Sequence, residues 1–248
     1  MFAIEARGVL RATLLSQAEA DPQIAAAAIT GSGASGGEDR WSDIDLAFGV
    51  REGVEPAGVI AAWTTRMYEE QGAVHHLDVL AGPWIYRVFL LANTLQVDLA
   101  FVTVTEFRAL APTFRVVFGA AQEARYLPGP DTTGMVGWGW LYALHARSSL
   151  MRGKWWQAEA MIRGVREQAM ALACVRYGVP AAHAKGLDSL PAAELAAFSG
   201  ALVTSLEAEE LWRTLAVALG CLVREFEFVD SDLAKRLEKP LGLLGARH

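Results

Sequence analysis

The stretch Gly31-Ser32-Gly33-Ala34-Ser35-Gly36-Gly37-Glu38-Asp39-Arg40-Trp41-Ser42-Asp43-Ile44-Asp45-Leu46 decides how this chain is read. It opens on a small-residue turn, crosses a short polar segment, and ends with two aspartates one residue apart. These lie in an apolar run, Ile44, Leu46, Ala47 and Phe48, which predicts a buried strand over residues 43–50. Residues i and i+2 of a strand face the same side, so Asp43 and Asp45 project together. Neighbouring carboxylates repel and raise each other's pKa unless a cation sits between them. Hard oxygen ligands on a rigid strand suit Mg2+, which takes one or two protein carboxylates and completes its shell with water and phosphates. The Gly31-Ser32 turn offers unhindered backbone N–H groups and a hydroxyl, which suit an anion such as a triphosphate. Asp-x-Asp alone is common, and the plainer alternative is a strand end with two solvated aspartates after a flexible loop.

Working outward, Val9, Leu10, Leu14 and Leu15 recur at helical spacing over residues 5–20, and Asp21-Pro22 ends that helix. Residues 24–30 read as a strand delivering the Gly31 turn, although their alanines suit a short helix equally well. A short helix is expected over residues 32–37. Downstream, residues 56–71 predict a helix with Pro56 near its first turn, and residues 74–80 a strand. Two apolar runs, 85–91 and 94–102, are joined by Ala92-Asn93 and predict a hairpin. Asp98 sits inside the second run between Val97 and Leu99, where a charge is costly unless paired or metal-bound. Arg87 is a possible partner within the hairpin. Residues 105–110 predict a short helix and 114–118 a last strand.

Tyr126-Leu127-Pro128-Gly129-Pro130 is the best linker in the chain, and the pattern beyond it is helical only. Asp131-Thr132-Thr133 can cap a helix reaching about residue 151. A long helix follows over residues 154–177, then a shorter one from Pro191. Thr204-Ser205-Leu206-Glu207 has capping-box form and opens a helix carrying Leu211, Leu215, Leu219 and Leu222. A terminal piece from Ser231 is expected to stop before Pro240. The fold class is α+β, with one domain over residues 1–128 and an all-α bundle over residues 129–248.

Composition narrows the function. The chain has 248 residues, is 53% hydrophobic and 20% charged, and carries a formal net charge of −6. An acidic chain is a poor collector of nucleic-acid phosphates, but a reasonable host for a cationic small substrate. Cys174 and Cys221 have no metal-ligand spacing and read as buried thiols of a reducing compartment. No signal peptide and no run of about eighteen apolar residues is visible, so no membrane association is expected and the location is read as cytoplasmic.

Gly31-Ser32, the gap of about ten residues to Asp43-Ile44-Asp45, and the later strand aspartate Asp98 together resemble the DNA polymerase beta-type nucleotidyltransferase superfamily. Thr30 stands where that pattern has an apolar residue, though Ile29 keeps the approach apolar. The resemblance implies a nucleotidyltransferase fold, a small mixed sheet flanked by helices. The layout, with a helical bundle behind it, is similar to aminoglycoside and lincosamide antibiotic nucleotidyltransferases. It implies catalytic and metal-holding roles for Asp43, Asp45 and Asp98, with Asp98 either a ligand or a general base. Gly31, Ser32, Gly33, Ser42 and Lys154 become the expected nucleotide contacts. Mg2+ is the implied metal, and an NTP, with ATP the first choice, the co-substrate. The acceptor is expected to be a small molecule, cationic and aminoglycoside-like, bound between the domains. A lincosamide or metabolite acceptor, a protein acceptor, and a non-catalytic nucleotide-binding protein stay open, as do monomer and homodimer.

His75 and His76 alternate across a strand and so do not favour a shared metal with Asp78. Trp138, Trp140, Trp155 and Trp156 read by default as core, but adjacent Trp155 and Trp156 cannot share one seam. Glu159 is placed to pair with Arg163 or to meet a substrate ammonium, as are Glu167, Asp188 and Glu194. Arg152, Lys154 and Lys185 are candidates for charge on the triphosphate or for plain solvation.

Overall fold

In a computed structural model, residues 2–246 are described. They form two compact units that divide after Pro128. The N-terminal unit is built on one six-stranded sheet, ordered β3-β4-β5-β2-β1-β6. In chain order its elements are α1 (Ile4–Ala20), β1 (Ile24–Thr30), α2 (Gly31–Ser35), β2 (Ile44–Val50), α3 (Pro56–Glu70), β3 (Ala73–Ala81), β4 (Trp84–Leu91), β5 (Gln96–Thr103) and β6 (Phe114–Phe118). The β2–β5 pair is parallel and the other pairs are antiparallel, so the sheet is mixed.

Strand alternation sorts the sheet into two faces. Ile29, Leu46, Phe48, Leu99 and Phe101 share a core with Leu14 and Ala18 of α1 and with Val59, Trp63 and Met67 of α3. Trp63 lies 4.8 Å from the Phe48 ring and gives its indole N–H to Asp21 at 3.0 Å, so a large aromatic is buried without an orphaned donor. The opposite face carries Ala26, Ala28, Ala47 and Ala100, packed with Trp84 and Phe107. Asp45 and Asp98 belong to this small-residue face.

Asp43 lies one residue before β2 rather than inside it. The helix expected over residues 105–110 does not form. Gln122, Arg125 and Leu127 instead donate backbone N–H groups to the carbonyls of Phe107, Ala109 and Leu110, and fully buried Phe107 pins the segment to the sheet. These pairings and the Arg108–Gln122 bridge hold the segment as a turn followed by extended chain along the sheet.

The C-terminal unit holds α4 (Thr132–Met151), α5 (Trp155–Arg176), α6 (Ala192–Gly200), α7 (Ala208–Val229) and α8 (Ser231–Gly245). Asp131 caps α4 by accepting from the Gly134 N–H at 2.9 Å. The capping box at Thr204 does not form: α7 starts at Ala208, and Thr204 donates from its N–H and hydroxyl to Glu210. α8 runs through Pro240, which is solvent-exposed and followed by buried Leu241. Packing of that apolar stripe outweighs one missing backbone donor. Fully buried Glu225 receives Arg176 at 2.8 Å, and Arg176 also reaches Glu194 at 3.0 Å. Cys174 and Cys221 are buried free thiols. No described helix is long and apolar enough to cross a membrane.

Candidate active site

Asp98 is the direct register partner of Asp45 across the parallel β2–β5 pair. Directly opposite like charges destabilise a sheet, so this pairing needs a compensating reason. Asp43, entering β2, joins them, and one carboxylate oxygen from each of the three lies within 4.8 Å of the others. All three are half-buried. The donors are hard oxygens only, a set that fits a hard divalent cation such as Mg2+.

Arg87 does not neutralise Asp98. It pairs with Leu99 in the strand register, which puts it on the other face, and it donates to both oxygens of Asp78 at 2.6 Å and to Thr64. Gln96, two residues before Asp98, donates to Asp98 at 2.9 Å and to Asp43 at 3.3 Å. Burial lifts the Asp98 carboxyl to about 6; Gln96 opposes the rise and the Asp43 charge adds to it.

The Gly31 turn is fitted to this cluster. Gly31 has φ +59, and a Cβ there would overlap the Asp45 carboxylate oxygen Oδ2. Glycine is required both for the backbone conformation and for the close approach. Ser32 and Gly33 follow inside α2, half-buried. A Cβ on Gly33 would crowd Ile29 and the Arg11 guanidinium, each at 3.1 Å.

The segment between the turn and Asp43 is held by α1. Arg7, 5% exposed, donates to the carbonyl oxygens of Asp39 at 2.6 Å and Ser42 at 2.9 Å. Arg11 donates to Glu38 at 2.6 Å and holds that carboxyl below its usual range. The Ser42 hydroxyl accepts from the Asp39 N–H at 2.9 Å and lies 3.2 Å from its carboxylate, so it closes this loop. Sequence reasoning passed over Arg7, Arg11, Glu38 and Gln96. The one available signal was a charged residue one heptad before buried Leu14, on the apolar stripe of α1.

Lys154 belongs to the C-terminal unit, where it is exposed directly before α5. Arg152 and Lys185 are exposed there too. Trp138, Trp140, Trp155 and Trp156 are all at least partly exposed, Trp156 by 77%, so none follows the default core reading. Arg163 pairs with Glu167, not with Glu159. Glu194 is taken by Arg176, Arg224 and Tyr177. His76 faces the Tyr68 hydroxyl at 2.9 Å.

No protein-family model and no curated protein matches the sequence. Among solved structures the chain is similar to an aminoglycoside 6-adenyltransferase from Bacillus subtilis, at 14% identity and a TM-score of 0.42, over 94% of this chain and 96% of that one.

Proposed function

We propose that the protein is a metal-dependent nucleotidyltransferase that moves a nucleoside monophosphate from an NTP to a hydroxyl of a small acceptor. The observation that carries the reading is the convergence of Asp43, Asp45 and Asp98 within 4.8 Å, beside a glycine turn shaped around Asp45. A structural role would not assemble three mutually repelling carboxylates beside a turn.

Asp43, Asp45 and Asp98 would hold the ion, Mg2+ by the hardness of the donors, which when bound supplies charge neutralisation for the phosphates. The Ser32 hydroxyl and the backbone N–H groups of residues 31–33 orient the β- and γ-phosphates. Phosphoryl transfer asks mainly for positioning and charge, and the loop clamped by Arg7 fixes where Asp43 enters. The acceptor oxygen forms its bond to the α-phosphorus, the bond to pyrophosphate breaks, and the hydroxyl proton passes to Asp98. The net charge of −6 favours an acceptor bearing amines, aminoglycoside-like in class, with ATP as donor.

The test is pyrophosphate release from each NTP with Mg2+ over a panel of aminoglycosides, lincosamides and other hydroxylated amines, with product mass read directly. A product heavier by one nucleotidyl group is expected. Transfer to a lincosamide alone would remove the cationic-acceptor part. Absence of pyrophosphate release with every acceptor, from a folded protein that binds Mg-ATP, would point to a metabolite or protein acceptor outside the panel, and absence of Mg-ATP binding would reject the enzyme reading.

A further inference from the structure

The sheet face that carries Asp45 and Asp98 also lines a cavity of about 200 Å³. Ala47 and Ala100 line it, each two residues beyond one of those aspartates and so on the same side of the sheet. Tyr86, Trp84 and Phe114 add aromatic walls. Gly31, which packs against Asp45, borders the same space, so the cavity begins where the phosphate turn begins.

Arg108 is the one charged side chain among the described lining residues. Its Nη2 donates to the Thr105 carbonyl at 3.0 Å and lies 3.2 Å from Glu106. Its Nε is buried and has no acceptor among the described residues. The side chain as a whole keeps 22% of its surface exposed, so the guanidinium's other N–H groups are the ones open to a ligand.

We propose that this cavity receives the nucleobase of the NTP, with Arg108 as the polar contact that reads a ring nitrogen or carbonyl of the base. The inference rests on the nucleotidyltransferase reading and extends it to the donor nucleotide. The volume suits one flat ring system and not a multi-ring acceptor. Alanine methyls leave room for a base, and aromatic rings offer stacking partners to any base. A lining with a guanidinium and no carboxylate disfavours a cationic acceptor. A mostly apolar hollow with a few placed polar groups, here Arg108 and the hydroxyl residues Thr30 and Thr113, is the usual form of a small-molecule subsite.

Binding of Mg-ATP and of Mg-tripolyphosphate to the full chain, by calorimetry, tests this. Ala100→Leu fills the hollow and should weaken ATP at least about tenfold while leaving tripolyphosphate unchanged, since stacking and a base hydrogen bond together are worth that much. Arg108→Gln should narrow the preference among ATP, GTP, CTP and UTP. An independent reading covers misfolding of the filled variant: ATP, but not tripolyphosphate, should change the tryptophan emission of the wild type by more than that of Trp84→Phe. ATP affinity unchanged in Ala100→Leu, or identical emission changes in wild type and Trp84→Phe, would overturn the assignment and leave the enzyme reading standing. A wild type that binds neither Mg-ATP nor Mg-tripolyphosphate would instead reject the enzyme reading, and this inference with it.

Discussion

The Arg7 guanidinium donates to the backbone carbonyl of Ser42 at 2.9 Å, one residue before Asp43. A helix residue thirty-five positions upstream therefore fixes the backbone from which the first aspartate projects. Removing Arg7 takes this donor from the Asp39 and Ser42 carbonyls and leaves a gap where its side chain, 5% exposed, was packed. Arg7→Ala should cost about 1–3 kcal/mol of stability and also loosen Asp43. Mg2+ affinity should fall more than the loss of stability accounts for. Isothermal titration with Mg2+, run well below the melting temperature, checks this; an unchanged affinity would confine Arg7 to folding.

Gly31→Ala meets two obstacles. The left-handed backbone costs a non-glycine residue about 1–2 kcal/mol, and the new Cβ would overlap Oδ2 of Asp45. The melting temperature should drop, and metal binding should drop with it because Asp45 must move. Gly36→Ala is the control: it shares the positive φ but has nothing within 4 Å. It should lose stability only. Equal metal affinity in the two variants would show that the turn is not fitted to Asp45.

Asp43→Asn or Asp45→Asn should abolish transfer, with turnover below about a hundredth of wild type, because loss of a metal clamp removes several kcal/mol of transition-state stabilisation. Without metal, Asp43→Asn should melt at or above the wild-type temperature, since its repulsion with Asp98 is relieved. Differential scanning calorimetry with and without Mg2+ separates the two effects. A variant that turns over normally would end the ligand assignment.

In the C-terminal unit, Arg176 contacts both Glu225 and Glu194. Its replacement by Met leaves buried Glu225 with Arg224 at 3.3 Å as its remaining ion-pair partner among the described residues. The expected loss is toward the lower end of about 3–5 kcal/mol, read by urea denaturation, with metal affinity of the N-terminal unit unchanged. A loss below about 1 kcal/mol would mean that the pair contributes little beyond its desolvation cost.

The strands and long helices were legible because their apolar residues recur at period 2 or 3.6, and that periodicity reflects which face is buried. Asp98 was legible as a charge inside such a run. Residues 105–110 misled because their pattern suits a helix while their carbonyls are claimed by residues 122–127, a long-range pairing that no local pattern carries. Thr204 misled for a related reason, since its partner Glu210 lies beyond the box. Arg7, Arg11 and Gln96 support the site through backbone carbonyls, an ion pair with Glu38 and a side-chain amide respectively, and such contacts leave no motif. Trp138 and Trp140 were read from residue type alone, which does not say which side of a helix meets a core, whereas the adjacency of Trp155 and Trp156 already placed one of them off the seam.

Burial, with the Asp43 charge behind it, raises the Asp98 carboxyl in the folded protein from 3.8 to about 6. The native state therefore holds this proton more tightly than the unfolded chain does. The stability tied to it is fully present below about pH 3.8 and is lost as pH rises through about 6. Metal-free protein should show this as a downward component of melting temperature across that window, and Asp98→Asn should remove the component while leaving the rest of the profile. Mg2+ must displace the same proton, so its affinity should strengthen with rising pH through the window, with up to one proton released per ion bound. Calorimetric titrations in two buffers of different ionisation enthalpy count that proton directly. A release of zero at pH 5, or a melting profile that Asp98→Asn leaves unaltered, would show that Asp98 is already ionised in the folded protein.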